Sequence, residues 1–202
     1  MNTTALRLGN TLTWAAVLLA LGVPPSLPAQ EAVLELDPAQ THIEFTLRGV
    51  LTPVQGTFKL KSGTIRFDPA TGKASGLVVV DVTSGVSDYP ARDRKMHKDV
   101  LESWKYPEAT LTPVRFFGRL EAQGESPLQL SGIFKLHGNE HDIELATTVR
   151  RDGNQLTAST QLVIPYVEWG LKNPSTLFTR VGDKVDIDIK TVGRITMPAA
   201  QQ

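Results

Sequence analysis

The chain has 202 residues, and its 21 basic and 21 acidic side chains cancel, which argues against a nucleic-acid partner bound through phosphate neutralisation. It has no cysteine, which excludes a disulfide framework, a thiolate metal site and a cysteine nucleophile. The length suits one domain, and a content of 21% charged and 41% hydrophobic residues is typical of a folded globular protein.

Residues 1–29 have the order of regions found in a secretory signal peptide. A single basic residue, Arg7, precedes the unbroken apolar segment at residues 14–21, and prolines and Ala29 follow it. The apolar segment is short for a membrane span. We therefore expect cleavage after Ala29, no transmembrane anchor afterwards, and a periplasmic or secreted location. An uncleaved membrane anchor is the alternative.

Alternating apolar and polar residues, which indicate strands with one buried face, follow along the chain. In residues 41–48, Ile43, Phe45 and Leu47 share one face. Further strand segments lie at residues 57–61, 64–68, 77–82, 111–117, 128–136, 143–149, 156–164 and 185–190. Turn residues separate several of them, at 68–72, 138–139 and 152–154. This pattern predicts an antiparallel sandwich or barrel, with an edge strand or a bulge at Pro113.

Residues 90–104 break the strand pattern and predict one short amphipathic helix. Its apolar residues recur at helical spacing, and Pro90 suits the first turn. In an all-strand chain the helix must bury its apolar stripe, and the opening of a barrel offers the apolar surface. We expect the helix to lie over one opening, with Met96, Val100 and Leu101 facing inward.

The sequence contains no recognisable catalytic motif. It lacks a G-x-S-x-G elbow, a phosphate-binding glycine loop and an H-E-x-x-H pair. His137 and His141 flank the predicted turn at Gly138 and could share a metal ion, so a metal-dependent enzyme is an alternative. Two polar residues beside a turn are the commoner arrangement. We expect no catalytic residue, no metal site and no required cofactor.

Several features favour a ligand held inside a barrel. Small residues, including Gly132 and Ala158, interrupt the apolar faces and leave space, and a barrel of eight strands has room for one small ligand. The candidate lining residues are Ile43, Phe45, Phe58, Phe67, Val80, Met96, Leu101, Phe134, Leu145 and Leu162. A packed β-module that binds a protein partner without a cavity is the alternative.

The densest cluster of charge, residues 92–99, lies on the predicted helix. It could form a cationic rim suited to a phosphate or carboxylate headgroup, with Arg92, Arg94 and Lys95 as the candidate residues. The alternatives are a solvated helix face and a structural role, in which Arg92 and Asp93 pin this segment onto the barrel.

Five motifs, taken together and in order, resemble the YceI-like family of exported lipid-binding barrels. They are LDPAQTHIEF at residues 36–45, VQGTF at 54–58, the Arg-Asp to Tyr-Pro segment at 92–107, LSGIFKLHG at 130–138 and YVEWG at 166–170. The resemblance implies an all-β domain over residues 31–197, a single extended lipocalin-like antiparallel barrel of about eight strands with a short helix over one opening.

The same resemblance implies a function. Members of the family hold a long amphiphile in an apolar tunnel, so the expected ligand is a polyisoprenoid, a quinone or a fatty amphiphile, and no catalysis is expected. The expected partner is therefore a small lipid, and a homodimer stays open as the oligomeric state.

Overall fold

The computed structural model of this protein describes residues 31–49, 52–176 and 180–198, and the expected signal peptide lies outside them. The described residues form nine strands and one short helix. The strands are β1 (Ala32–Leu36), β2 (His42–Gly49), β3 (Val54–Phe67), β4 (Ala74–Ser87), β5 (Glu108–Phe117), β6 (Gly124–Leu136), β7 (Asn139–Asp152), β8 (Gln155–Ile164) and β9 (Val181–Thr196). The helix, α1 (Pro90–Lys95), continues as a π-helical turn at Met96–Val100. The all-β prediction is confirmed.

The sheet closes on itself as an antiparallel barrel. β2 pairs with β3 on one side and with β9 on the other, and β3 to β9 pair in chain order. β1 pairs with the same two strands, β3 and β9, beyond the end of β2. A 3₁₀ turn at Pro38–Gln40 separates β1 from β2. The two strands therefore share one position of an eight-position up-and-down barrel, which decides the choice between sandwich and barrel.

Several ladders of the barrel are interrupted by register shifts or are short. The bulge predicted at Pro113 is present as a register shift between Pro113 and Arg115 of β5. The β7–β8 ladder covers only residues 147–152 of β7 and residues 155–160 of β8. Beside the unpaired half of β7, the Trp169 ring stacks on His141 at a centroid distance of 3.9 Å. The segment that follows β8 therefore packs where these two strands separate.

Two hydrophobic clusters divide the barrel interior along its axis. The first includes two residues with 0% exposure, Ala32 and Ile195. Its other buried members are Leu34, Phe67, Val149 and Leu156. The second cluster contains Ile43, Phe45, Leu136 and Ile187, and it surrounds a cavity. One end of the barrel is therefore packed and the other is hollow.

Two local predictions differ from the structure. The β6–β7 turn consists of His137 and Gly138, both with positive φ (52° and 84°), so it lies one residue earlier than predicted. Positive φ at both central residues is typical of a two-residue hairpin turn. The helix ends at Val100, because the positive φ of Glu102 (42°) redirects the chain. Trp104, the last residue of the predicted helix, consequently lies beyond the helix and is 76% exposed.

The β8–β9 connection is anchored to the barrel by Tyr166. This side chain is 5% exposed, and its hydroxyl donates a hydrogen bond to the Gly182 carbonyl at 2.6 Å. Burial, together with the nearby Asp183 carboxylate, raises the pKa of Tyr166 to about 12 from an ordinary value of 10.0. The folded protein therefore retains a proton that the unfolded chain releases above pH 10.0.

We expect Tyr166→Phe to lower the free energy of unfolding by about 1 kcal/mol at neutral pH, since one buried hydrogen bond is lost. In the native protein, the contribution of the buried Tyr166 to the free energy of unfolding is fully present below pH 10.0. It decreases as the pH rises toward about 12. The variant should lose less stability over that interval. Chemical denaturation at neutral and alkaline pH measures both effects. Tyr89→Phe, at a position 63% exposed, is the control and should change neither. Parallel pH profiles of Tyr166→Phe and the native protein would contradict this assignment.

Ile195 and Ile189 allow a matched comparison of the two ends, because both lie on the inner face of β9. Ile195→Ala, in the packed cluster, should cost about 4 kcal/mol. Ile189→Ala, in the cavity wall, should cost about 2 kcal/mol or less, because one side of Ile189 already lacks packing partners. Chemical denaturation of the purified protein, stripped of any bound molecule, measures both. Equal losses would show that the two ends are equally packed.

Candidate functional site

The hollow end of the barrel contains a cavity of about 760 Å³. This volume falls in the range of about 300–1,000 Å³ that is typical of small-molecule sites. Its wall is formed by apolar side chains of β2, β3, β4, β5, β6, β8 and β9 together with the helical segment. Deep inside, the lining includes Val80, Phe134 and Ile189, and at the mouth it includes Gly49, Thr52 and Arg180. The arrangement can enclose an elongated apolar molecule.

Strand alternation explains why these side chains line the cavity. On β2, Ile43 and Phe45 point inward and are 5% exposed, whereas the intervening Glu44 is exposed. The Phe45 ring lies beside the Phe58 ring of β3, with centroids 5.3 Å apart. Gly56 permits this packing, because a Cβ atom there would overlap the Phe45 ring. The wall therefore depends on a glycine that sequence reasoning did not identify.

Most of the predicted lining residues surround this cavity. They are Ile43, Phe45, Phe58, Val80, Met96, Leu101, Phe134 and Leu162. Further lining residues that the prediction did not include come from the β8–β9 connection and β9, such as Tyr166, Leu171, Val185 and Ile187. The alternation of β9 was visible in the sequence, but the contribution of the connection was not.

Phe67 and Leu145, also predicted to line the tunnel, lie outside the cavity wall. Phe67 belongs to the packed cluster, where its ring lies 5.2 Å from that of Phe116. Leu145 is buried on the inner face of β7 but does not reach the cavity. Both have the predicted inward direction, and it is their position along the barrel axis that separates them from the cavity.

The helical segment lies over the mouth of the cavity. Met96, Val100 and Leu101 contribute to the lining, as the amphipathic pattern predicted. Asp93 fixes α1 to the end of β4, because its Oδ1 accepts hydrogen bonds from the Ser87 amide at 2.8 Å and the Ser87 hydroxyl at 2.6 Å. Arg92 and Asp93 were both considered as residues that attach this segment to the barrel, and it is Asp93 that forms this attachment.

His97 forms a second attachment between the helical segment and β4. Its Nε2 lies 2.7 Å from the Gly85 carbonyl oxygen, and its Nδ1 lies 3.0 Å from the Ser103 hydroxyl. Because a carbonyl oxygen only accepts, Nε2 carries the proton of this bond. These contacts hold the apolar residues of the π-helical turn toward the cavity.

The basic residues at the mouth differ in part from those predicted. Arg92 and Lys95 line the cavity, whereas Arg94 does not. Arg180, immediately before β9, also lines the mouth and was missed, because the sequence does not show that this segment returns to the helix end of the barrel. Within the described residues, no carboxylate forms an ion pair with Arg92, Lys95 or Arg180.

The two histidines considered as metal ligands have separate partners. His137 Nε2 lies 2.8 Å from Glu102 Oε2. The His137 ring packs against the Tyr106 ring, with the two ring centroids 4.2 Å apart. His141 stacks on Trp169 with an interplanar angle of 7°. In the part of the chain that the structure describes, no group of three or more potential ligands is arranged to hold a metal ion. No described helix has the length and apolar character needed to cross a membrane.

Solved structures share this fold. BcnA from Burkholderia cenocepacia matches with a TM-score of 0.65 at 20% identity, covering 78% of this chain and 98% of that one. A polyisoprenoid binding domain from Saccharophagus degradans, implicated in plant cell wall breakdown, matches with a TM-score of 0.59 at 16% identity, covering 81% and 98%. The Campylobacter jejuni YCEI protein matches with a TM-score of 0.51 at 19% identity, covering 66% and 80%.

The sequence comparisons complement this structural likeness. No curated protein is significantly similar to the chain in sequence. A family model described as YceI-like domain, however, matches residues 34–193. The match spans most of the chain and confirms the resemblance seen in its motifs. This chain therefore belongs to the YceI-like family.

Proposed function

We propose that this protein binds a long-chain isoprenoid or a similar amphiphilic lipid, with the tail inside the barrel and the head at the mouth. The observation that carries the proposal is the apolar cavity of about 760 Å³, which is open where the helical segment crosses the barrel. The Saccharophagus degradans structure of the same fold, described as a polyisoprenoid binding domain, gives additional support.

The energetics of the cavity favour a long chain over a short one. Burying ten CH₂ groups contributes roughly 8 kcal/mol, at about 0.8 kcal/mol for each. The loss of translational and rotational freedom on binding costs a similar amount, about 4–15 kcal/mol. A short tail therefore leaves little net affinity, and each additional buried methylene increases it.

In this proposal the protein acts without catalysis and needs no cofactor. The polar residues that reach the cavity are at its mouth, and its interior consists of apolar side chains. His137 and His141, the candidates for metal chemistry, do not line the cavity. We further propose that residues 1–29 direct export, so that residues 31–197 act as a carrier domain in the periplasm or outside the cell.

We expect Leu162→Trp to reduce the amount of lipid that co-purifies with the protein, because the larger ring occupies cavity volume. Val163→Trp is the matched control, since the next residue of β8 is 54% exposed and lies outside the cavity. Native mass spectrometry and analysis of the organic extract measure bound lipid. Chemical denaturation verifies that both variants fold.

The native protein and Val163→Trp should carry a long-chain lipid in similar amounts, and Leu162→Trp should carry less. Absence of lipid from the native protein, together with no binding of added long-chain lipids, would contradict the proposed function. Equal lipid content in both variants would contradict the assignment of the cavity as the binding site.

Export makes a separate prediction about residues 1–29. Expressed in a Gram-negative host, the full chain should accumulate in the periplasmic fraction with an intact mass that corresponds to cleavage after Ala29. A variant lacking residues 2–29 should remain in the cytoplasm. Recovery of the uncleaved full chain from the membrane fraction would instead support the anchor alternative.

A further inference from the structure

We infer that the cavity mouth selects a lipid with an anionic head, a carboxylate or a phosphate, over a neutral lipid with the same tail. The inference rests on the proposed function and specifies its ligand class. Its basis is the charge of the lining. Arg92, Lys95 and Arg180 line the mouth, and among the described lining residues there is no aspartate or glutamate.

Two of these cations are presented by the helix. Arg92 and Lys95 are three residues apart on α1, so they lie on the same side of it. Asp93 is engaged elsewhere, since its Oδ1 accepts both hydrogen bonds from Ser87. The hydrogen bonds of Asp93 therefore fix the orientation of α1 that places Arg92 and Lys95 along the cavity. The acidic neighbour of Arg92 does not neutralise it through an ion pair.

The third cation approaches from another part of the barrel. Val181, the residue after Arg180, pairs with Gly49 at the end of β2. On the other side of the β2–β3 pair, Gly56 pairs with Ser87, the residue that holds α1. Arg180 and α1 therefore flank the β2–β3 pair from opposite sides. A headgroup at the mouth can therefore be contacted by Arg180 from one side and by the cations of α1 from the other.

The charges make an anion the better occupant. Asp186, a carboxylate of β9 near this end, is already paired with Arg48 at 2.9 Å. Three cations beside an apolar wall, with no aspartate or glutamate among the described lining residues, gain most from a ligand that brings negative charge. Arginine guanidinium groups also match carboxylate and phosphate oxygens with two parallel hydrogen bonds. A neutral quinone or alcohol head supplies hydrogen-bond acceptors but no negative charge.

The test compares lipids that share a tail and differ in the head. Lipid-stripped mature protein is titrated with geranylgeranyl phosphate and geranylgeraniol, and with palmitate and hexadecanol, below their aggregation concentrations. At low salt, at least one anionic lipid should bind about tenfold or more tightly than its alcohol, because charge-assisted hydrogen bonds are roughly twice as strong as neutral ones. The preference should decrease at high salt because the mouth is exposed to solvent.

Variants assign the preference to the three cations. The triple change Arg92→Gln, Lys95→Gln and Arg180→Gln should remove the preference by lowering the affinity for the anionic lipids to about that for the alcohols, and retained binding of the alcohols also shows that the variant folds. The double change Arg94→Gln and Lys98→Gln removes two cations of the same segment that do not line the cavity, and it should retain the preference. The single change Arg180→Gln should reduce the preference for the anionic lipid over its alcohol.

The outcomes separate this inference from the proposed function. Anions and alcohols that bind equally well would overturn the inference and leave lipid binding intact, whereas no binding of any of the four would overturn both. Preference for geranylgeranyl phosphate alone or for palmitate alone supports the inference and identifies the head as a phosphate or a carboxylate, and preference for both supports an anionic head of either kind. Inorganic phosphate that binds as tightly as geranylgeranyl phosphate, or a preference retained by the triple variant, would overturn it.

Discussion

Closure of the sheet is the constraint on which the rest of this structure depends. Because β1 and β2 both bridge β3 and β9, every strand position of the described barrel has a paired neighbour on each side, although β7 and β8 separate over part of their length. In an open sheet the backbone groups at the edges are unpaired and invite association. In a closed one they are satisfied by the ladder, so the barrel can remain intact with part of its interior unfilled.

The two ends of the barrel interior are filled to different extents. The packed cluster around Ile195 buries apolar surface from β1, β3, β7, β8 and β9. The second cluster forms the wall of a cavity and forgoes the contacts that a filled core would supply. A molecule that enters the cavity provides those contacts, so binding and packing rely on the same physical interaction.

A few side-chain hydrogen bonds determine which segments of the chain face the cavity mouth. Asp93 and His97 attach the helical segment to β4, and Tyr166 attaches the β8–β9 connection to the start of β9. None of these residues needs to touch a bound molecule to be important. They orient the segments that carry Met96 into the apolar lining and Arg180 to the rim.

Strand alternation in the sequence was sufficient to place Ile43 and Phe134 on the inner face, since the direction of a side chain along a strand depends on the local backbone. The sequence was also sufficient to predict that the helix covers the barrel opening, because its apolar stripe requires burial.

The position of a residue along the barrel axis could not be predicted from strand alternation. Phe67 points inward yet packs at the closed end, because its height depends on the register between strands. Register likewise brings Arg180 to the mouth, and the hydrogen bonds of Asp93 to Ser87 set the orientation in which Arg92, but not Arg94, lines it. Those contacts join residues far apart in the chain, and only the closed barrel brings them together.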